Sequence, residues 1–124
     1  MKLIIFAVAI TLILGVGCQT ISTVFDPGAV PESYFQRAQS ASGVSDYATA
    51  LVIYQKFLAS GLADVGYELS AKYEIAFLHY KMGKKDLAKT EFQDILTKYA
   101  DPDRPVALPG WVKSLSELML KKVS

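Results

Sequence analysis

The sequence predicts an all-α fold, a short solenoid of helical hairpins closed by a terminal helix. Three observations lead to this prediction. Apolar residues recur at helical spacing in five segments, and breaks rich in glycine or proline separate them. The pattern around Ala50 also returns around Ala88, 38 residues further along the chain. With 124 residues, the chain has room for one small domain at most.

The first residues differ from the rest of the chain. Lys2 precedes an apolar run from Leu3 to Gly17, in which Thr11 is the only polar side chain. A positive charge, a run of about fifteen apolar residues and small residues before a break are typical of a secretory signal peptide. The run is short for a membrane-spanning helix, which needs roughly twenty apolar residues. We therefore predict a signal peptide over residues 1–17.

Cys18 is the only cysteine of the chain and stands at the predicted cleavage site. Together with the preceding Leu14 to Gly17 it resembles the lipobox of bacterial lipoproteins, with Gly15 at the position where leucine is usual. In that family the cysteine receives a diacylglyceryl thioether and becomes the first residue of the mature chain. The resemblance implies a covalent lipid on Cys18 and no other cofactor. The alternatives are an uncleaved membrane anchor or an unmodified, buried or incidental cysteine.

The segment before the first predicted helix lacks a helical period and contains the turn former Asp26-Pro27-Gly28. We interpret residues 18–30 as the lipidated cysteine and a flexible tether, and residues 31–124 as the helical domain. Pro31 favours a helix start, and this helix is predicted to run to Gly43. Its inward residues are predicted to be Tyr34, Phe35, Ala38 and Ala41. Ser45 can cap the second helix, which is expected from Asp46 to about Ala59.

The strongest pattern is a pair of helices between Ala71 and Tyr99, after a longer connection bracketed by Gly61 and Gly66. Gly83 separates the two helices, because the residue after a helix end often needs a left-handed backbone that glycine adopts cheaply. On the first helix one face carries Ile75, Ala76 and His79, and a neighbouring face carries Tyr73, Phe77 and Tyr80. On the second helix the apolar stripe comprises Leu87, Ala88, Phe92, Ile95 and Leu96.

The last helix follows a polar break with two prolines between Ala100 and Pro105, which no helix could cross. We predict that Pro109 opens this helix and that it ends near Val123. Its apolar stripe is predicted to be Trp111, Leu115, Leu118 and Met119. We expect it to cover the exposed end of the preceding hairpin, as terminal helices do in solenoids.

The central hairpin resembles one tetratricopeptide repeat, a helix-turn-helix unit of roughly 34 residues. Ala76 takes the small position of the first helix, Gly83 falls in the turn, and Ala88 and Phe92 take the alanine and the aromatic of the second helix. A fainter copy precedes it, because Ala50, Tyr54 and Gln55 align with Ala88, Phe92 and Gln93. The resemblance implies two such repeats and a capping helix.

Charge and residue types disfavour several functions. Lys2 is the only charged residue among the first seventeen, so their removal leaves 12 basic and 12 acidic side chains, without the surplus that nucleic acids attract. His79 is the only histidine, and no second histidine or free cysteine could complete a metal site or a nucleophile pair. We expect His79 to be half-buried and hydrogen-bonded. Asp101 and Asp103 are expected to cap the loop or stay solvated, with a weak calcium contact as the alternative. We therefore predict no enzyme, no catalytic residue and no metal site.

In the tetratricopeptide family, the first helices of successive repeats line a concave groove that receives peptides or partner proteins. The resemblance places this groove at Phe35, Gln39, Tyr73, Phe77, Tyr80 and Lys81. The three aromatic residues of the second set share a helix face, and rings bury much area at little cost in ordering entropy. The alternative is that these rings pack against the first repeat or the terminal helix.

Together these features predict a bacterial tetratricopeptide lipoprotein that is anchored in a membrane of the cell envelope. It would face the periplasm or the outside, with the outer membrane as one possibility. Its function would be that of a protein–protein interaction adaptor or assembly factor, and its partner an envelope protein or peptide. The alternative is an accessory protein that holds a small apolar ligand or partners a periplasmic transporter.

Overall fold

The computed structural model describes residues 20–104 and 107–124. In this part of the chain five helices follow one another: α1 (Pro31–Gly43), α2 (Tyr47–Ala59), α3 (Val65–Lys81), α4 (Lys85–Ala100) and α5 (Gly110–Val123). α1 packs on α2 and α3 on α4, while α2 also packs on α3 and α4 on α5. The predicted all-α class, with two hairpins and a terminal helix in sequential packing, is confirmed.

Aspartate side chains set the starts of α2 and α3. The carboxylate of Asp46 accepts the backbone N–H of Thr49 at 3.1 Å, and that of Asp64 accepts the N–H of Tyr67 at 2.8 Å. Each bond satisfies a donor that has no partner within its own helix. Ser45, the cap we predicted for α2, instead lies in the turn with a positive φ of 61°.

The connection between α2 and α3 is shorter than predicted. We expected Gly66 to belong to the loop, but α3 already begins at Val65 because Asp64 caps it. Gly83 does end the central helix as predicted, with a φ of 81°. The N–H of Lys84 donates to the carbonyl of His79 at 2.9 Å, a bond typical of helices that end in a left-handed residue.

α3 lies between two apolar clusters and is the helix that both share. The first cluster joins α1, α2 and one face of α3 through buried Tyr34, Ala38, Ala41, Ala50, Ile53, Tyr54, Phe57, Ala71 and Leu78. The second joins the other face of α3 to α4 and α5 through buried Leu69, Tyr73, Ala76, Ala88, Phe92, Ile95, Tyr99, Val112 and Met119. Most of the predicted stripe of α4 is therefore core, although Leu87 is exposed.

The chain before α1 is packed against the first hairpin. Phe25 stacks on Tyr34 with 3.7 Å between ring centroids. The guanidinium of Arg37 lies 4.2 Å from the centroid of the Phe25 ring and donates to the carbonyl of Val24 at 2.5 Å. The partly buried apolar residues of this segment are Ile21, Phe25 and Ala29. The segment before α1 therefore contacts the first hairpin through these side chains, while the predicted flexible tether over residues 18–30 stays a prediction.

The predicted signal peptide, residues 1–17, and the predicted lipidation site Cys18 lie outside the described residues. Both remain predictions. Among the helices that the structure describes, none combines the length and the apolar character needed to cross a membrane.

α5 buries a different face from the one we predicted. Of the predicted stripe only Met119 is buried, while Trp111, Leu115 and Leu118 are 46%, 37% and 48% exposed. The buried residues of the helix are Val112, Ser116, Met119 and Val123. Val112 and Ser116 are completely buried, and their small side chains allow α5 to approach its neighbours more closely than a row of tryptophan and leucine would.

Candidate partner-binding surface

The six residues predicted to line a groove do not form one exposed surface. Tyr73 belongs to the second apolar cluster and is only 7% exposed, so it is a core residue. Phe35, Phe77 and Tyr80 are partly buried, whereas Gln39 and Lys81 are exposed. The structure therefore separates residues that carry the fold from residues that remain accessible.

Phe35 connects three helices. Its ring lies 5.1 Å from Tyr54, 5.3 Å from Phe57 and 5.6 Å from Tyr67, measured between centroids. These edge-on and tilted contacts are the geometries that aromatic pairs favour. Through these contacts Phe35 holds α1 against α2 and α3, and its role in a groove stays a prediction.

Lys81 is exposed, but its ammonium group already contacts an aromatic ring. Its Nζ lies 5.6 Å from the centroid of the Tyr47 ring, which places a cation over an aromatic face. The contact joins the end of α3 to the start of α2.

The aromatic residues of α3 form a continuous row, as their spacing predicted. Tyr73 and Phe77 are stacked, Phe77 and Tyr80 are tilted, and both pairs have 6.3 Å between ring centroids. Tyr73 also lies 5.7 Å from Phe92 of α4. The rings of α3 therefore differ in their surroundings. Tyr73 lies in the core, whereas Phe77 and Tyr80 keep part of their surface exposed.

A second row runs along α5 and meets the first. Trp111 contacts Tyr73 edge to face, with 5.5 Å between centroids. Leu115 and Leu118 follow Trp111 at i+4 and i+7, so they share its helix face. This row repeats the spacing of the α3 row 38 residues later, at the offset that relates the two hairpins. We call the accessible part of both rows the α3–α5 surface, which consists of Phe77, Tyr80, Trp111, Leu115 and Leu118.

The α3–α5 surface has the composition of a binding site. Single exposed apolar residues are common on proteins, but accessible rows with tryptophan and tyrosine on two helices in contact are typical of surfaces that dock a partner. Sequence reasoning assigned Trp111, Leu115 and Leu118 to the core and so missed their exposure. The shared 38-residue offset from the α3 row was a signal that could have found them.

Glu74 lies between Tyr73 and Phe77 in the sequence of α3 and is partly buried. Burial raises the pKa of its carboxyl group above the usual range. Burial and, secondarily, the charge of Glu74 also raise the pKa of the Tyr54 hydroxyl. Sequence reasoning missed Glu74, because an acidic residue on an amphipathic helix normally indicates a solvated position.

His79 has the structural role that the sequence predicted. It is 8% exposed, and its Nδ1 lies 2.7 Å from Oε2 of Glu91. The bond connects α3 to α4. The carboxylate of Asp101 accepts the backbone N–H of Asp103 at 2.9 Å, which is the capping role expected for that loop. Within residues 20–104 and 107–124, no three potential ligands cluster into a metal site.

A cleft of about 290 Å³ opens between α3 and α4, away from the α3–α5 surface. Three apolar residues form part of its wall, but charged side chains make up the rest: Lys72, Glu91, Asp94 and Lys98. A small apolar ligand would leave these charges with little to interact with. The accessible lining of the cleft is nevertheless mostly apolar, and the alternative of an apolar-ligand carrier stays a prediction.

The fold and the surface define the class of this protein, a helical-hairpin domain with an exposed aromatic surface and a structural histidine. A comparison with protein families agrees, since residues 70–102 match the model of the tetratricopeptide repeat. The match spans most of α3 and all of α4, so this hairpin is a tetratricopeptide repeat and implies protein–protein interaction. No enzyme family was found. No curated protein and no solved structure matches the chain significantly.

Proposed function

We propose that this protein is a membrane-anchored adaptor of the bacterial cell envelope that binds a segment of another envelope protein on its α3–α5 surface. The observation that carries the proposal is Trp111, which packs on Tyr73 and yet keeps 46% of its surface exposed. A tryptophan fixed by one neighbour can contact a partner with little loss of side-chain entropy.

The tetratricopeptide repeat supports a protein partner over other ligands. The α3–α5 surface is apolar, so its natural complement is a segment with apolar side chains at helical spacing, as in other helix-in-groove complexes. Leu115 and Leu118 extend the surface along α5 and would contact such a segment beyond Trp111. These contacts bury apolar area that is accessible in the free protein.

The location rests on the first eighteen residues. The apolar run up to Gly17 and the lipobox-like residues before Cys18 support export and lipid attachment. Several acyl chains hold a protein at a bilayer far more firmly than one. Anchoring also raises the local concentration of partners in the same membrane, so a modest affinity would suffice for binding.

Site-specific photocrosslinking in cells tests the binding surface. A photoreactive phenylalanine derivative replaces Leu115 in one variant and Glu117 in the control, which is exposed on another face of the same helix. We expect one discrete polypeptide to be trapped from position 115 and not from 117. Adding Trp111→Ser and Leu118→Ser to the first variant should abolish trapping. Equal trapping from both positions would exclude the α3–α5 surface.

The anchor is tested separately. Metabolic labelling with an alkyne fatty acid should label the wild type and leave Cys18→Ala unlabelled, and Cys18→Ala should leave the membrane fraction. Labelling that persists in Cys18→Ala would exclude this cysteine as the lipid site.

A further inference from the structure

The domain has two distinct ends, because α1, α3 and α5 run in the same direction. The Nζ of Lys81, at the end of α3, lies 5.6 Å from the centroid of the Tyr47 ring, which follows the turn after α1. Gly66, near the start of α3, adjoins Pro109, where α5 begins. The C-terminal ends of α1, α3 and α5 therefore lie together, beside the turns that lead into α2 and α4.

This end of the domain is rich in lysine. It consists of residues 43–47, 81–86 and 121–124, and we call it the basic end. Its charged side chains are two aspartates, Asp46 and Asp86, and five exposed lysines: Lys81, Lys84, Lys85, Lys121 and Lys122. In the described part of the chain, none of these lysines forms an ion pair. Their charges are therefore not neutralised by neighbouring carboxylates.

The opposite end of the domain is acidic. It consists of residues 26–32, 60–68, 98–104 and 107–110, and its charged side chains are Asp26, Glu32, Asp64, Glu68, Asp101, Asp103, Lys98 and Arg104. Although the predicted mature chain is formally neutral, its charges are thus separated along the helix axes. Such a separation orients a protein at a charged surface.

Helix stability does not explain all of these lysines. Lys121 and Lys122 end α5, where a positive charge is favourable. Lys84 and Lys85 begin α4, where a positive charge is unfavourable, and Lys84 is a helix cap without a side-chain hydrogen bond. Positions that break a local rule in this way are often functional.

The N-terminal segment leads toward the basic end. Phe25 stacks on Tyr34, whereas the carbonyl of Ser22 accepts a hydrogen bond from Arg37, three residues further along α1. The segment therefore runs antiparallel to α1, and the residues before Ser22 continue toward the end of that helix. Four residue steps from Ser22 to Cys18 can span roughly 13 Å, whereas α1 extends only roughly 9 Å beyond Arg37. A lipid on Cys18 can thus reach the bilayer at the basic end.

The turns at the basic end also expose apolar side chains. Val44, between α1 and α2, is 70% exposed, and Met82, between α3 and α4, is 36% exposed. Lysines combined with a few exposed apolar residues are typical of surfaces that bind the headgroup region of anionic membranes.

We infer that the basic end is the face with which the domain binds an anionic lipid bilayer. The lysines contact headgroup phosphates, and the side chains of Val44 and Met82 enter between the headgroups. This inference rests on the membrane anchoring in the proposed function and adds the orientation of the domain. The α3–α5 surface runs along the sides of the helices, so this orientation leaves it accessible to a partner.

Photocrosslinking to lipids tests the orientation. The full chain, purified from membranes, is reconstituted into phosphatidylcholine vesicles with or without about 30% phosphatidylglycerol, which supplies the negative charge. A photoreactive phenylalanine derivative replaces Val44 in one variant and Leu62 in the control, because Leu62 is an exposed apolar residue in a turn at the opposite end. We expect lipid adducts from position 44 and few from position 62, with a yield that rises with phosphatidylglycerol and falls in about 0.5 M salt.

Neutralising lysines tests the role of charge. Lys84→Gln with Lys85→Gln should lower the adducts from position 44 roughly fivefold or more, since each lysine near an anionic bilayer contributes a factor of about five. Lys98→Gln with Lys113→Gln removes the same charge from exposed positions outside the basic end and should leave the yield unchanged. Equal losses in the two double variants would overturn the inference.

Flotation of the wild-type chain with the vesicles separates the inference from the proposed function. If the chain floats but positions 44 and 62 give equal adducts, or if the yield ignores phosphatidylglycerol and salt, the inference is overturned and the anchoring stands. If the chain does not float, the anchoring itself fails and the inference with it.

Discussion

Trp111 meets Tyr73 edge to face, with 5.5 Å between ring centroids and 82° between ring planes. Through this contact α5 reaches α3, the helix that joins both apolar clusters of the domain. Tyr73 is buried, while Trp111 stays nearly half exposed. One pair of rings therefore stabilises the end of the domain and also begins its accessible surface.

Replacing Trp111 with alanine should lower the free energy of unfolding by about 1–2 kcal/mol, because part of the ring is buried and the pair adds an aromatic contact. Urea denaturation followed by circular dichroism measures this loss. The control Leu118→Ala, at a more exposed position of the same row, should stay within about 0.5 kcal/mol of the wild type. Equal losses in both variants would mean that the Tyr73 contact contributes nothing specific.

Phe92 tests the core of the tetratricopeptide hairpin. It is completely buried and lies beside Tyr73. Phe92→Ala should lower the free energy of unfolding by about 3–5 kcal/mol, through lost burial and the cavity left behind. Leu87→Ala, on the same helix but exposed, is the matched control and should change little. A loss below 1 kcal/mol at Phe92 would contradict the packing described for α3 and α4.

The hydrogen bond between His79 and Glu91 should contribute to the free energy of unfolding. Glu91→Ala leaves the Nδ1 of a buried histidine without its partner, which should cost about 1–3 kcal/mol in the free energy of unfolding. Glu91→Gln retains an oxygen that can accept, so it should lose less. The difference between the two variants, measured by denaturant unfolding at one pH, is the decisive quantity. Identical stabilities would show that the hydrogen bond is unimportant.

Arg37 should hold the N-terminal segment against α1. Its guanidinium covers the Phe25 ring and donates to the carbonyls of Val24 and Ser22. Arg37→Ala should therefore speed amide hydrogen exchange in residues 21–29, while the helices keep their protection. Gln39→Ala, an exposed change on the same helix, should leave exchange unaltered. Unchanged exchange in Arg37→Ala would locate the docking energy elsewhere.

Glu74 should make stability depend on pH with a defined sign. Burial raises its pKa in the folded protein above the ordinary value of 4.5. The folded state therefore binds the proton more tightly than the unfolded state, and stability falls as pH rises from about 4.5 through the raised pKa. Unfolding measured across this range should show the wild type losing stability relative to Glu74→Gln. A difference that stays constant with pH would contradict the burial of the carboxylate.

The helices of the hairpins were predictable because their signals are local. Pro31 opens α1, Gly83 ends α3, and the predicted stripe of α4 contains its buried residues Ala88, Phe92 and Ile95. The orientation of α5 was not predictable in the same way. Its hydrophobic pattern predicts that Trp111 and the leucines are buried. In the structure the small Ser116 is buried instead, because it allows close packing, although its polarity predicts an exposed position.

The packing of the N-terminal segment on the first hairpin could not be predicted from the sequence either. Ile21, Thr23 and Phe25 are partly buried and alternate with exposed residues, which is the period of an extended chain. A search for helical spacing overlooks that period, and the polar Thr23 interrupts its apolar character. Thr23 is nevertheless held, since Lys56 of α2 donates to its carbonyl at 2.8 Å.

The docked segment has a geometric consequence for a protein attached by Cys18. In the sequence only Gln19 and Thr20 lie between that cysteine and Ile21, the first residue that is packed in the described part of the chain. Three residue steps reach no farther than roughly 10 Å, even when fully extended. A domain attached through so short a segment would lie directly on the lipid headgroups and could not rotate freely above them. Its height and tilt would then decide from which direction another protein can approach.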